Sequence, residues 1–149
     1  MATIAIALVF QDHYDVFGKH ERRELMIKRI PAASGGWGLP GIEIRPEIEA
    51  QGVEVSLQQA IEAEMTNMHI SELPQFICRI THEGKEVLIY HARFIGRPQR
   101  DFGNPSESAV FPDWSPYALT DLAKKVIEKL PPRRNKPKRR KSDVQVVAY

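Results

Sequence analysis

The sequence contains a single cysteine among its 149 residues, so no internal disulfide framework can stabilise it. It also has no apolar run long enough to cross a membrane. Residues 1–10 are apolar but short and have no basic segment before them, which favours a strand over a secretion signal. We therefore expect a cytoplasmic protein in a reducing compartment that does not engage a membrane.

Several common catalytic signatures are missing as well. The five histidines show none of the spacings of zinc sites. There is no glycine-rich phosphate loop, no nucleophile elbow and no dinucleotide-binding fingerprint. The one thiol, Cys78, lies in a predicted strand and is interpreted as a small core residue. The sequence therefore argues against the enzyme classes that carry these signatures.

The charge is divided unevenly along the chain. The net charge is only +2, but residues 1–130 carry 14 basic and 18 acidic residues, a net of −4. We predict a mildly acidic domain over residues 1–130 and a flexible tail over residues 131–149 that contacts RNA, DNA or an acidic partner. A solubilising tail without a partner is the alternative. The predicted contact residues are Arg133, Arg134, Lys136, Lys138, Arg139, Arg140 and Lys141.

Hydrophobic periodicity divides residues 1–130 into alternating strands and helices. On this order alone the domain is α/β or α+β. The predicted strands are 3–10, 24–30, 74–80 and 86–96, the predicted helices are 56–68 and 117–130, and the main loops are 11–21 and 97–108. Residues 42–55 alternate apolar and acidic side chains, and their first part fits a strand. Pro46 and Gly52 are interpreted as breaks in this segment, which is predicted to be mainly a solvated loop.

The segment 35–68 carries the strongest functional signal. Glycines surround the sequence Trp37-Gly38-Leu39-Pro40-Gly41, so the chain must turn here and can approach a ligand closely. A helix should follow, with Ser56 as its N-cap and an apolar stripe beginning at Leu57. Glu64 lies at the edge of that stripe, where a carboxylate needs a basic or metal partner.

This segment resembles the signature of the Nudix (MutT-like) hydrolase superfamily, G-x5-E-x7-R-E-U-x-E-E-x-G-U, in which U is a bulky apolar residue. The lead-in to that signature and part of its helix are present. The resemblance implies a single Nudix-type α/β/α sandwich with a mixed β-sheet. The matching positions are Trp37, Pro40, Gly41, Ala60, Glu64 and Met65.

The chain also departs from the signature. Ala63 stands where the family has arginine, and Asn67 and Met68 replace its pair of glutamates. The earlier signature glutamate falls on Val55, with Glu54 one position away. A thioether is a poor ligand for a hard cation, so the predicted metal site has few oxygen ligands.

The resemblance implies roles for individual residues if the site is active. Glu64 and Glu54 would bind Mg²⁺ or Mn²⁺, with Glu64 and Glu107 as the catalytic carboxylates. Arg29, Trp37 and Gly41 would contact a nucleotide-like small molecule. Solvent exposure of Arg29 and a packing role for Trp37 are the alternatives.

Two hypotheses follow from this pattern. In the first, the chain is a degenerate Nudix protein with weak or absent hydrolysis that binds nucleotides or nucleic acid, or acts as a scaffold. In the second, it is a metal-dependent pyrophosphohydrolase of nucleoside diphosphate derivatives. The family resemblance is also compatible with a homodimer, and in a eukaryotic source the basic cluster would fit a nuclear-import signal.

Overall fold

A computed structural model describes residues 3–30, 36–64, 70, 72–93, 109–110 and 113–133, with the backbone alone at residues 64, 109 and 110. Within these ranges the elements follow one another as β1 Thr3–Tyr14, β2 His20–Leu25, β3 Ile27–Arg29, β4 Trp37–Gly38, β5 Gly41–Glu43, α1 Pro46–Gln51, α2 Val53–Glu64, β6 Gln75–His82, β7 Lys85–Arg93, β8 Ala109–Val110 and α3 Asp121–Ile127.

The main sheet is mixed and is centred on β1. The strand order is β2-β1-β7-β6, and β5 pairs with the first half of β1 on the same side as β2. The β1–β7 pair is parallel, whereas β2, β5 and β6 all pair antiparallel with their neighbours. A small second sheet has the order β4-β3-β8.

Both faces of β1 are buried, as the continuous apolar run predicts. Ala5, Ala7 and Val9 face a core that includes Leu57 and Ile61 of α2. The alternate residues Ile6, Leu8 and Phe10 face a second core that includes Val126 of α3. The sheet therefore lies between α2 and α3, which confirms the predicted α/β/α sandwich.

The predicted loop over residues 11–21 is wrong for most of its length. β1 continues to Tyr14, and the turn is confined to the residues around Asp15, whose Oδ1 accepts hydrogen bonds from the amides of Phe17 and Lys19. The polar side chains did not predict this strand because they pair across it, as Asp12 does with Arg23. Cross-strand ion pairs allow a charged segment to continue a strand.

The predicted loop after β5 is also wrong, because α1 occupies part of it. Pro46 fits the first turn of α1, where its missing amide hydrogen costs nothing, and Gly52 ends that helix at φ 104°. α2 then begins at Val53, so Ser56 is not its N-cap. Instead the buried Ser56 hydroxyl donates to Oε1 of Gln51 at 3.2 Å and links the two helices.

The remaining elements agree more closely with prediction. β6 and β7 form the expected hairpin, with Glu83 and Gly84 at positive φ in its turn. α3 is shorter than predicted because it starts at an N-cap, Thr120, whose Oγ1 accepts from the Ala123 amide at 3.2 Å. None of the helices in the described ranges has the length and apolar character needed to span a bilayer.

Candidate functional site

The two glutamates predicted to bind metal lie at opposite ends of α2. Glu54 is in the first turn and Glu64 is the last helical residue. Ten residues of helix correspond to a rise of about 15 Å and a rotation that leaves the two positions about 80° apart. Ligand oxygens lie only about 2 Å from Mg²⁺. The helix therefore does not bring Glu54 and Glu64 to one ion.

Glu54 is half-buried and faces the sheet near Tyr90 of β7. Burial raises the pKa of the Tyr90 phenol, and the negative charge of Glu54 raises it further. Tyr90 therefore stays neutral at physiological pH. Glu54 thus lies at the boundary between α2 and the core.

The described residues contain no group of three or more His, Cys, Asp or Glu arranged to hold a metal ion. The Glu64 side chain and the whole of Glu107 fall outside the described positions, as do Asn67 and Met68. Their roles remain predictions. The donors that the structure does place near α2 do not by themselves form a site for Mg²⁺ or Mn²⁺.

Glu62 has a structural role that the sequence pattern did not reveal. Its Oε1 accepts the backbone amide of Ile70 at 3.2 Å and the side-chain amide of Gln58 at 3.3 Å. Ile70 in turn belongs to the core beneath α2. Glu62 thus holds the returning chain against the helix. The spacing of Gln58 and Glu62 signals their mutual contact, but nothing local indicates the contact with Ile70.

Trp37 packs against the fold and also contacts an exposed arginine. Its ring packs edge-to-face against Tyr117, with centroids 5.2 Å apart, and its carbonyl accepts the Thr120 amide at 2.9 Å. The exposed guanidinium of Arg29 lies 5.4 Å from the centre of the indole ring. Such a cation–π contact contributes about 0.5–1 kcal/mol at an exposed site. Trp37 therefore packs within the fold, and Arg29 is exposed to solvent while it contacts the indole.

Close packing of β5 against β1 is sufficient to explain why residue 41 is glycine. A Cβ at this position would lie 2.6 Å from the backbone oxygen of Ala5, because β5 runs close beside β1 here. Gly41 also lines a cleft of about 270 Å³ between β5, Leu39 and the start of α3. The cleft walls are largely apolar, and Thr120 and Glu43 provide polar side chains among its lining residues.

A second cleft, of about 320 Å³, lies at the opposite end of β1. His91 lines it and contacts the Lys129 carbonyl through Nε2 at 2.9 Å. Burial lowers the pKa of His91, although its contact with Lys129 opposes this change. At neutral pH the ring is therefore uncharged, so the Nε2–H tautomer donates to Lys129.

The beginning of the predicted tail is attached to the domain. Pro131 also lines this second cleft, and its carbonyl accepts a hydrogen bond from Arg23 at 2.5 Å. The Arg133 guanidinium lies 5.5 Å from the centre of the Trp114 ring. Of the seven predicted contact residues in the tail, only Arg133 lies in the described range. The chain thus still contacts the domain at Pro131 and Arg133.

No protein-family model matches the sequence, and no curated protein matches it significantly. Solved structures do match. The C-terminal domain of mouse MUTYH, in complex with human PCNA, aligns with a TM-score of 0.60 at 16% identity, covering 86% of each chain.

Two further structures align with a TM-score of 0.54 each. A MutT/Nudix family protein from Listeria innocua is 13% identical, over 85% of this chain and 92% of that one. A MutT structure, from work on the Aliivibrio salmonicida and Vibrio cholerae proteins, is 17% identical over 87% and 98%. At these identities the likeness concerns the fold.

Proposed function

We propose that this chain, which has a MutT/Nudix-type fold, is a nucleic-acid-binding module with weak or absent hydrolytic activity. The observation that carries the proposal is the placement of Glu54 and Glu64 at opposite ends of α2. The substitutions at Ala63, Asn67 and Met68 support it, because they remove an arginine and two carboxylates that the family resemblance implies. A divalent ion would find too few oxygen ligands to bind tightly.

The basic segment 133–141 supports nucleic acid as the ligand. Seven of its nine residues are Lys or Arg, whereas residues 1–130 carry a net charge of −4. A segment of this kind neutralises phosphates and releases counterions, which makes binding strongly salt-dependent. The acidic domain would keep nucleic acid away from most of its own surface.

A second role for the fold is binding without nucleic acid. The MUTYH domain that resembles this chain forms a complex with PCNA, so the same architecture serves there in a protein assembly. For this chain, the cleft of about 270 Å³ beside Gly41 is slightly smaller than a typical ligand pocket, so it would hold only part of a small ligand. In this proposal, a nucleotide-like molecule would bind at this cleft in addition to the nucleic acid bound elsewhere on the chain.

Hydrolysis is the competing proposal. In this case Mg²⁺ or Mn²⁺ would supply charge neutralisation of a diphosphate and orient an attacking water. Glu64 would be a ligand and catalytic carboxylate, Glu107 a second carboxylate, and Arg29 a phosphate clamp. The exposure of Arg29 supports its part in this proposal.

The first test measures phosphate and monophosphate release from nucleoside diphosphate derivatives and capped RNA, with Mg²⁺ and with Mn²⁺. We expect no release above that of Glu64→Gln. Metal-dependent turnover that Glu64→Gln abolishes would overturn the proposal in favour of the hydrolase. Glu62→Gln is the matched control, since Glu62 lies on the same helix and its Oε1 accepts the Ile70 amide.

The second test measures binding of the intact protein to oligonucleotides at two salt concentrations. Each phosphate contact on a single strand contributes about −0.7 to the slope of log K against log salt. We expect a slope steeper than about −3, from at least four such contacts. Binding that is absent, or indifferent to salt, would contradict nucleic acid as the ligand.

A further inference from the structure

Two arginine–tryptophan pairs lie next to each other on the α3 side of the fold. Arg29 covers the Trp37 indole at 5.4 Å, and Arg133 covers the Trp114 indole at 5.5 Å. Tyr117 connects them, because its ring packs on Trp37 and its amide donates to the Trp114 carbonyl at 3.0 Å. We refer to these five residues as the Arg–Trp surface.

The Arg–Trp surface consists of two exposed arginines over two half-buried indoles that pack against the core. Arg29 and Arg133 are both exposed. Among the described residues no carboxylate forms an ion pair with Arg29, whose only described side-chain contact is with the indole. Asp113 is the nearby counter-charge for Arg133. Hydrogen bonds from Ser115 are the main reason that the pKa of Asp113 is lowered, and the charge of Arg133 adds to this.

This combination of groups suits unpaired bases. Nucleobases stack on indole rings and on guanidinium planes, and the same guanidinium groups donate hydrogen bonds to phosphate oxygens. Bases in a duplex already stack on each other and do not reach a flat protein surface. An acidic peptide would pair with the arginines but would gain nothing from the indoles. The chemistry therefore selects a single strand.

We propose that the Arg–Trp surface is a stacking site for single-stranded nucleic acid, an inference that rests on the nucleic-acid-binding function proposed above. A base replaces the guanidinium on an indole face, and the displaced guanidinium contacts the adjacent phosphate. The cation therefore stays beside the anion that it neutralises, so no positive charge is lost from the site.

The position of Arg133 joins this surface to the tail. Arg133 is the first of the seven basic residues in segment 133–141, and its guanidinium lies over Trp114. A strand that stacks on the surface is therefore delivered to the start of the basic segment. The surface would select unpaired bases, and the segment would add affinity that is independent of sequence.

The test uses intrinsic fluorescence, because Trp37 and Trp114 are the only tryptophans in the sequence. The protein is titrated with a short oligothymidylate while tryptophan emission is recorded. A parallel titration follows the anisotropy of the same oligonucleotide carrying a dye, which reports binding at any site. We expect emission to be quenched along the same binding curve as the anisotropy.

Single-site variants locate the effect. Trp37→Phe and Trp114→Phe each leave one indole, and each should retain partial quenching. Arg29→Ala should weaken binding about 3- to 10-fold and flatten the salt slope by about 0.7. Arg79→Ala is the control, because this exposed arginine lies beside Leu88 on the α2 face, where it pairs with Glu86 at 2.6 Å. It should change the affinity by less than about 2-fold.

The outcomes separate this inference from the proposed function. If anisotropy rises while emission stays constant, or if Arg29→Ala equals Arg79→Ala, the chain binds nucleic acid elsewhere and the stacking site is wrong. If duplex DNA or polyglutamate quenches emission as strongly as the single strand does, base stacking is also wrong. If neither signal changes, the proposed function fails together with the inference.

Discussion

Arg23 shows how one buried cation connects distant parts of the chain. Its guanidinium pairs with Asp12 at 2.6 Å and donates to the Pro131 carbonyl at 2.5 Å, and it lies 4.9 Å from the centre of the Phe10 ring. The Arg23 side chain is 3% exposed and that of Asp12 is 10% exposed. Removing one partner of such a buried ion pair is strongly destabilising, because the other charge is left buried without compensation.

We therefore expect Arg23→Met to lower the free energy of unfolding by about 3–5 kcal/mol, since Asp12 would remain buried without its main partner. Urea unfolding measures the change. Arg22→Met is the matched control, because Arg22 is the adjacent residue, is 61% exposed and approaches Glu24 only to 3.9 Å. Its cost should be below about 1 kcal/mol. Equal effects of the two substitutions would contradict the assignment.

The same ion pair predicts a pH dependence. Burial alone would raise the pKa of Asp12, but contacts with Arg23 and His20 outweigh it and lower the pKa below the usual 3.8. A lowered folded-state pKa gives stability that is present above pH 3.8 and is lost as the pH falls through the folded value. The difference in unfolding free energy between wild type and Arg23→Met should therefore shrink below pH 3.8.

At the scale of single elements, a substitution at Gly41 tests whether this glycine serves packing or ligand binding. We expect Gly41→Ala to destabilise the protein by about 1–3 kcal/mol, because two backbones must move apart to admit the methyl group. Urea unfolding measures this cost. Gly84→Asn is the control, since a Cβ there meets open space and Asn tolerates positive φ. Unchanged stability with lost nucleotide binding would show instead that Gly41 serves the ligand.

Elements with a clear apolar pattern could be predicted, and those that depend on tertiary pairing could not. The continuous run in β1 and the stripe of Leu57 and Ile61 in α2 gave correct faces. The end of β1 was missed because Asp12 finds its partner on β2. α1 was missed because Pro46 and Gly52 were interpreted as breaks, whereas they are the ends of a short helix.

The candidate site shows the same limit. The family resemblance predicted the fold correctly, since a linear signature reports the turn and helix that build it. It assigned Glu54 and Glu64 to one ion by counting positions along the chain. The early start of α2 puts both residues in one helix, so their separation is fixed by helical rise. Whether Glu54 and Glu64 can reach one ion therefore depends on where α2 begins, and that boundary depends on Gly52.

At the scale of the whole molecule, two shortened chains distinguish the contribution of residues 131–133 to stability from the contribution of the basic segment to binding. A chain ending at Arg133 keeps the contacts of Pro131 and Arg133 but loses six basic residues. It should unfold like the intact protein, while its salt slope for nucleic acid falls by up to about 4.

A chain ending at Leu130 also removes the carbonyl that Arg23 uses. It should therefore lose about 1–3 kcal/mol of unfolding free energy, because a buried donor is left without its acceptor. Urea unfolding and oligonucleotide titration of both shortened chains measure these effects. Equal stability of the two would contradict a structural role for Pro131.

The contact between Arg133 and Trp114 also sets a tether length. Lys141 lies eight positions beyond Arg133, so the last basic residue of the segment stays within about 29 Å of this contact. In the proposed complex, a strand held on the domain would meet the basic segment at an effective concentration in the millimolar range. Affinity should consequently rise in a step once an oligonucleotide is long enough to reach both, and level off beyond that length.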